Sequence, residues 1–224
     1  MLNKSQGNMY EFVTHTWNIL KGRCNHDCRY CFMKRWGSLN PLHFDNSELK
    51  TDLGSGNFIF VGSSTDDFAE GVPSEWIIKM LDHCDKYENR YLFQSKNPAR
   101  ILEFIAHPVF RKAVVCTTIE SNRFYPEVMV NSPRIESRVQ AMAELSTKGI
   151  PTYVTCEPLM SFDLKELVSM LEACHPQQVN IGRNSRREIM LPEPSNDEVK
   201  ALITELGNFT KVEVKKNAKA WIKE

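Results

Sequence analysis

Short apolar runs recur along the chain, each bounded by polar or turn residues and followed by a stretch whose apolar positions return every three to four residues. Strands alternating with longer helical patterns in this way are the signature of βα units built on a parallel sheet. Six such units are predicted, with strands over Tyr10 to Asn18, Asn57 to Gly62, Arg90 to Ser95, Ala113 to Ile119, Pro151 to Glu157 and Gln178 to Gly182. A seventh strand fits Lys211 to Lys215. Helical spacing is read in EWIIKMLDHCDKY, where Trp76, Ile77, Met80 and Leu81 share a face behind Ser74 as N-cap. The same pattern occupies Pro98 to Ile105, Pro133 to Thr147 with Gly149 as its stop, Leu164 to Cys174, and Asn196 to Leu206 behind Ser195, Asp197 and Glu198.

Six units fall short of the eight that close a full barrel of roughly 250 residues. The expected architecture is therefore α/β, a partial (β/α)6 TIM-like barrel. No internal repeat, low-complexity tract or linker divides the chain, so a single domain is expected over residues 1–224. Its core runs from about residue 10 to 190, and the C-terminal helix with a short strand or tail fills 195–224.

Composition narrows the function classes only a little. The 42% apolar content of a 224-residue chain suffices for a core, and disordered or fibrous readings are excluded. Lys and Arg total 28 against 28 Asp and Glu, so bulk charge makes no case for nucleic acid or an anionic membrane. No apolar run approaches the roughly 18 residues of a membrane span, and MLNKSQGNMYEF is not built like a signal peptide; a cytoplasmic protein without a membrane partner is expected. The seven cysteines are an odd number with three inside eight residues, a distribution that favours a metal or cluster site over a disulfide framework.

Those three are Cys24, Cys28 and Cys31, spaced CxxxCxxC on a polar loop after the first predicted strand. Soft thiolates select zinc or iron-sulfur clusters. A structural zinc ion needs four ligands, usually as two separated pairs, and no second CxxC or His pair follows. Three cysteines on a four-iron cluster leave one iron without a protein ligand, an open position for a substrate or cofactor. His26 is either a fourth ligand of a zinc site or a polar loop residue hydrogen-bonded beside the cluster.

With this motif, and with aromatic Tyr30 directly before the third cysteine, the chain resembles the radical S-adenosylmethionine superfamily. Through TWNILKGRCNHDCRYC, FVGSSTDDFAEGVPSEW, FQSKNPARI and RIESRVQAMAELSTKGIPTYVTCEPL it is similar to the spore-photoproduct-lyase-related branch and to a phage-associated, functionally uncharacterised family. The likeness covers about residues 12 to 182. The second strand departs from it, ending in GSSTDD where a Gly-Gly-Glu type is usual. The resemblance implies a 4Fe-4S cluster whose open iron chelates S-adenosyl-L-methionine, an electron from outside that cleaves the carbon-sulfur bond, and a 5'-deoxyadenosyl radical that takes a hydrogen atom from a substrate. Such cofactors carry the hard chemistry while the protein supplies placement and exclusion of water.

Ligand groups of βα barrels lie at the carboxyl ends of the strands. Against this cofactor, Ser63, Ser64, Thr65 and Asp66 are placed to accept from the methionine ammonium, or else to cap and turn the chain. Ser95 and Lys96 are suited to the methionine carboxylate, Thr118 and Glu120 to ribose hydroxyls, and Arg138 to a bidentate carboxylate contact. Their plainer roles are a solvated lysine, a surface glutamate and an exposed ion pair. Glu157 either faces the ligand or anchors the next loop. Cys84, Cys174, Cys116 and Cys156 read as small buried hydrophobes; of these, Cys116 or Cys156 would become a hydrogen-atom donor if it pointed into the barrel.

Lys21, Arg23, Arg29, Lys34 and Arg35 surround the thiols against Asp27, and Arg183, Arg186 and Arg187 follow the sixth strand. This local excess attracts a phosphate-bearing or nucleic-acid substrate, offsets a negatively charged cluster, or is merely solvated. With no second cluster motif, one cluster and an external electron donor are expected. The competing reading is a non-catalytic zinc- or cluster-stabilised nucleic-acid-binding module, and a third keeps fold and cluster but makes the protein a sensor.

Overall fold

The computed structural model describes residues 1–222. In chain order the elements are β1 (Asn3–Lys4), β2 (His15–Trp17), β3 (Leu20–Lys21), β4 (His43–Phe44), β5 (Phe58–Val61), α1 (Ser74–Asp85), β6 (Arg90–Gln94) and α2 (Pro98–Leu102). There follow β7 (Ala113–Thr118), α3 (Pro126–Met129), α4 (Ile135–Thr147), β8 (Thr152–Cys156), α5 (Leu164–Ala173), β9 (Gln178–Ile181), α6 (Asn196–Leu206) and β10 (Lys211–Val214). The main sheet runs β1-β2-β5-β6-β7-β8-β9-β10, parallel throughout except for β1, which is antiparallel to β2. A parallel sheet in sequential order, with helices over its outer face and its two ends unpaired, is the expected partial barrel, and the seventh strand completes it.

Side chains alternate across each strand, and both faces are buried, which is why the strands read as continuous apolar runs. Phe58, Phe60, Leu92, Val114 and Cys116 turn into the barrel, whereas Ile59, Val61, Phe93, Val115 and Ile181 pack outward beneath the helices. The first strand is shorter than the alternation predicts. Residues Tyr10 to Val13 form a turn, closed by the Val13 N–H on the Tyr10 carbonyl at 3.1 Å, that sends Tyr10 and Val13 into the barrel interior.

Most helix signals act as expected. Ser195 and Glu198 form a reciprocal capping box on α6, and α4 stops at Gly149. Ser74 does not cap α1: Pro73 holds that position, and the Ser74 hydroxyl instead accepts from Arg100 Nη2 at 2.6 Å. The tail docks, burying Ala218 and Trp221 in a 3₁₀ turn after β10. There the Asn217 N–H donates to Asn8 Oδ1 at 3.2 Å, tying the two ends of the chain across the open side of the barrel.

One buried group pays an electrostatic cost. Both carboxyl oxygens of Asp67 are buried without a hydrogen-bond partner among the described residues. They pack so closely on Gly62 (φ +75°) that a Cβ there would lie 2.2 Å from Oδ2. Burial, and secondarily the Asp66 charge, push this carboxyl well above its usual range. The folded chain then holds a proton that the unfolded chain releases. Its stabilising effect is complete below the ordinary aspartate pKa of about 4 and declines as pH rises toward the native value, by about 1.4 kcal/mol per pH unit. Asp67→Asn is expected to remove that decline. Urea unfolding between pH 4 and 8 should show the parent losing stability relative to the variant; parallel curves would place the charge cost elsewhere.

Candidate functional site

The cysteine loop is residues 22–42, an excursion between β3 and β4, whose antiparallel pairs Leu20↔Phe44 and Lys21↔His43 pinch its neck. Gly22 is required there: its φ is +101°, and a Cβ would fall 2.4 Å from the Pro41 carbonyl oxygen. Inside the loop Asp27 takes the left-handed conformation (φ 51°) and ties the turn together through Lys34 at 2.8 Å and Arg23 at 3.0 Å. Lys34, then Arg23, hold its carboxyl below the usual range despite partial burial.

All three thiols of the loop line one cavity of 790 Å³ at the carboxyl ends of the strands. Cys28 is buried, with its sulfur 3.3 Å from Ser132 Oγ; Cys24 and Cys31 are half-buried, and none is in a disulfide. Burial, with the Asp66 charge behind it, pushes the Cys24 thiol up to about 12, and burial raises Cys31 as well. Such thiols become thiolates when a metal displaces the proton.

Asp66 fastens the loop to the barrel. His26 Nε2 lies 2.9 Å from Oδ2, which also accepts the Lys96 N–H at 2.8 Å, while Oδ1 accepts the Phe68 N–H at 3.0 Å. Burial works to raise this carboxyl, but His26 and the Lys96 N–H outweigh it and hold Asp66 below its usual value. Asp66 therefore stands in the cavity wall with its oxygens already engaged.

Tyr30 is a second fastening. Its phenol donates to Glu120, which also pairs with Arg138 Nη1 at 2.8 Å; Arg138 in turn donates to the carbonyls of Thr118 and Pro133, each at 2.9 Å. The Glu120 and Arg138 side chains are fully buried. Burial raises the Glu120 carboxyl, yet Arg138 and Lys96 prevail and keep it below its usual range. Neither residue lies in the cavity wall. They stand behind Tyr30, as a support for the loop and not as the exposed groups their sequence positions suggested.

The strand ends supply the rest of this wall. Ser63 and Ser64 are oriented by Asn18, whose Oδ1 accepts from the Ser63 hydroxyl at 3.2 Å and the Ser64 N–H at 3.0 Å. The buried Thr65 hydroxyl has no hydrogen-bond partner among the described residues. Ser95 Oγ accepts the Asn97 N–H at 2.8 Å and so shapes the turn. The Lys96 ammonium reaches Thr118 Oγ1 at 3.4 Å and sits 5.3 Å from the centre of the Tyr30 ring. Burial would lower its pKa, but Cys28 and Glu120 raise it further, so it stays a cation with no carboxylate salt bridge among the described residues.

Of the residues expected from sequence, the wall takes all except Glu120, Arg138, Cys116 and Cys156. Cys116 faces the barrel interior beneath the cavity, and Cys156 packs outward under the helices. The opposite wall was largely missed. Glu157 accepts from Asn8 at 2.8 Å, Lys215 at 2.5 Å and Asn217 at 3.3 Å. Tyr10 donates to Gln94 at 2.8 Å beneath the Lys215 ammonium, 4.2 Å above its ring. Lys215 ends the seventh strand, so the strand-end rule that found Lys96 would have found it too. Asn8 carries no periodic signal, and Tyr10 was placed only as a strand residue.

The donor set fits a multi-iron centre better than a single ion. Among the described residues no three His, Cys, Asp or Glu side chains converge enough to hold one metal ion, whereas zinc would need its ligands within about 2.3 Å of a point. His26 is engaged through Nε2 with Asp66, the role of a polar loop residue hydrogen-bonded beside the thiols. The thiols instead face a shared cavity containing the Thr65 hydroxyl, unpartnered among the described residues, and Lys96, a cation without a carboxylate salt bridge among them.

No family profile and no curated protein sequence matches the chain. Solved structures do. A spore photoproduct lyase variant superposes with a TM-score of 0.67 at 10% identity, over 93% of this chain and 78% of the other. Spore photoproduct lyase complexed with dinucleoside spore photoproduct gives 0.60 at 11%, over 91% and 64%. The enzyme anSMEcpe, with bound AdoMet and a peptide, gives 0.58 at 8%, over 89% and 63%. The chain thus spans a little under two thirds of the last two. The chain shares with these proteins the fold of a partial α/β barrel built on a sequential, mostly parallel sheet.

Proposed function

We propose that this protein is an enzyme that reductively cleaves S-adenosyl-L-methionine and turns the resulting 5'-deoxyadenosyl radical on a nucleic-acid-derived substrate. The observation that carries the reading is the single cavity shared by Cys24, Cys28, Cys31, the Thr65 hydroxyl and the Lys96 ammonium. The three thiolates would hold a 4Fe-4S cluster. When bound, that cluster offers an iron without a protein ligand to the amino and carboxylate groups of S-adenosylmethionine and supplies the electron that breaks its carbon-sulfur bond.

The remaining roles belong to this chain's side chains. Thr65, with Ser63 and Ser64 beside it, accepts from the methionine ammonium, and Lys96 pairs with the carboxylate; Thr118 lies next to Lys96 for a ribose hydroxyl. Tyr30, Glu120, Arg138, His26 and Asp66 position the loop without touching the ligand. The substrate half is the wall of Asn8, Tyr10, Glu157 and Lys215. Its geometry does not favour Cys116 or Cys156 as hydrogen donors, since neither reaches the cavity.

Two observations support a nucleic-acid-derived substrate. The wall carries Arg23, Lys34, Arg35, Lys96, Arg183 and Lys215 against Asp27, Asp66 and Glu157, an excess of cations in a chain of zero net charge. A structural neighbour, spore photoproduct lyase, binds a dinucleoside. The electron comes from an external donor, and free thiols in this number fit a reducing, cytoplasmic compartment. No described helix is long and apolar enough to cross a membrane.

Anaerobic loading with iron and sulfide, then dithionite and S-adenosylmethionine, is expected to release 5'-deoxyadenosine. Cys24→Ser, Cys28→Ser and Cys31→Ser should each reduce both cluster absorbance and product to background. A fully loaded four-iron protein that releases none would refute the proposal, and stoichiometric zinc would select the binding module instead. Lys96→Met should weaken S-adenosylmethionine binding about 10- to 100-fold, as loss of a charge-assisted hydrogen bond does, in equilibrium dialysis of the loaded protein. Unchanged affinity would remove Lys96 from the carboxylate site.

A further inference from the structure

Beside the cavity mouth lies a surface that the proposed chemistry leaves unused. Trp36 is 65% exposed, Met190 86% and Phe32 42%, and the Phe32 and Trp36 rings meet edge to face at 5.9 Å. The loops that bear these side chains also carry Arg29, Arg35 and Arg187, all exposed and without an ion pair among the described residues. The two loops that carry these residues are one surface: the largely buried Arg186 donates to the Arg29 carbonyl at 3.3 Å and to Glu188 at 2.6 Å. Arg186 first, and more weakly Arg35, hold the Glu188 carboxyl below its usual range, so this carboxylate is already engaged.

Exposed apolar side chains that cluster and are rimmed by charge mark interaction sites. Here the combination is aromatic faces interleaved with unpaired arginines, and a strand of unpaired nucleotides matches both: bases stack on aromatic rings while phosphates meet guanidinium groups. Phe32, Arg35 and Ser185 belong to the rim and to the cavity wall alike, so the rim continues into the cavity. A free nucleotide seated in the cavity would leave Trp36, Arg29 and Arg187 without a partner. A duplex keeps its bases stacked on one another and cannot offer them to Trp36.

We propose that the substrate is one unit of a single-stranded polynucleotide, laid across the rim of Phe32, Trp36, Arg29, Arg35, Arg187 and Met190 so that the reacting nucleotide enters the cavity. This rests on the reading of the cavity as the place of reaction on a nucleic-acid-derived unit. The strand is bound by its backbone and stacked bases outside, and the cavity selects the unit that reacts.

The test is fluorescence anisotropy with the full chain, isolated anaerobically, and labelled oligo-dT and oligo-rU of about 12 nucleotides, without S-adenosylmethionine or reductant. Binding should weaken with salt and prefer the single strand to a duplex of equal length and to thymidine monophosphate. Trp36→Ala should weaken it about 5- to 150-fold. Arg29→Gln and Arg187→Gln should each reduce the slope of log affinity against log salt by about 0.7. These side chains are exposed, and thermal melting of each variant should match the parent. No binding at low salt, equal affinity for the monophosphate, or indifference to all three substitutions would overturn the proposal. So would variants that keep strand affinity but lose reduction by an acidic one-electron carrier protein, which would give this surface to the reductant. Because the assay needs no cleavage of S-adenosylmethionine, its failure and failure of the radical reading are separate results.

Discussion

The site depends on one buried carboxylate. A loop of some twenty residues bearing three cysteines buries only part of its apolar side chains, Cys28 and Tyr30 among them, and its neck is pinched by two residue pairs. Asp66 supplies what is missing, taking His26 from the loop and the backbone of Lys96 and Phe68 from the barrel in one hydrogen-bonded knot. Removing charge from water is costly unless every lone pair finds a donor. Here the donors are present, and the loop, the end of β5 and the end of β6 are consequently fixed to one another.

The same economy separates the cavity into halves with different construction. On the thiol side the support is buried and ionic: Glu120 and Arg138 stand behind Tyr30, and Lys96 keeps its charge because Cys28 and Glu120 are close. On the far side Glu157 gathers Asn8, Asn217 and Lys215, groups drawn from both ends of the chain. The two halves, one braced by buried charge and one gathered from distant segments, match the proposed division between cofactor and substrate.

How much of this was legible in the sequence follows the same division. The strands and most helices could be read because burial on both sheet faces and on one helix face leaves a regular trace. Lys96, Thr65 and Glu157 could be placed because strand ends of βα barrels face the mouth. Glu120 satisfied the same positional rule yet turned away, since its attraction to Arg138 on helix α4, invisible in one dimension, drew the pair behind Tyr30. Tyr10 was read as strand because its neighbours alternate, although the alternation serves a turn packed inside the barrel. Asn8 and Asn217 left no trace, because amides whose partners lie between 34 and 209 positions away have no local pattern.

That last separation bears on how the molecule assembles. Most of the sheet is laid down between neighbours in sequence, each strand joining the one before it, and such local pairing is entropically cheap and quick. The bond between Asn217 and Asn8 instead demands closure of a span of 209 residues. On a ribosome, the barrel and its cysteine loop can therefore mature while the far wall is still unfinished, and the compartment acquires its final shape only once Lys215 and Asn217 have been added.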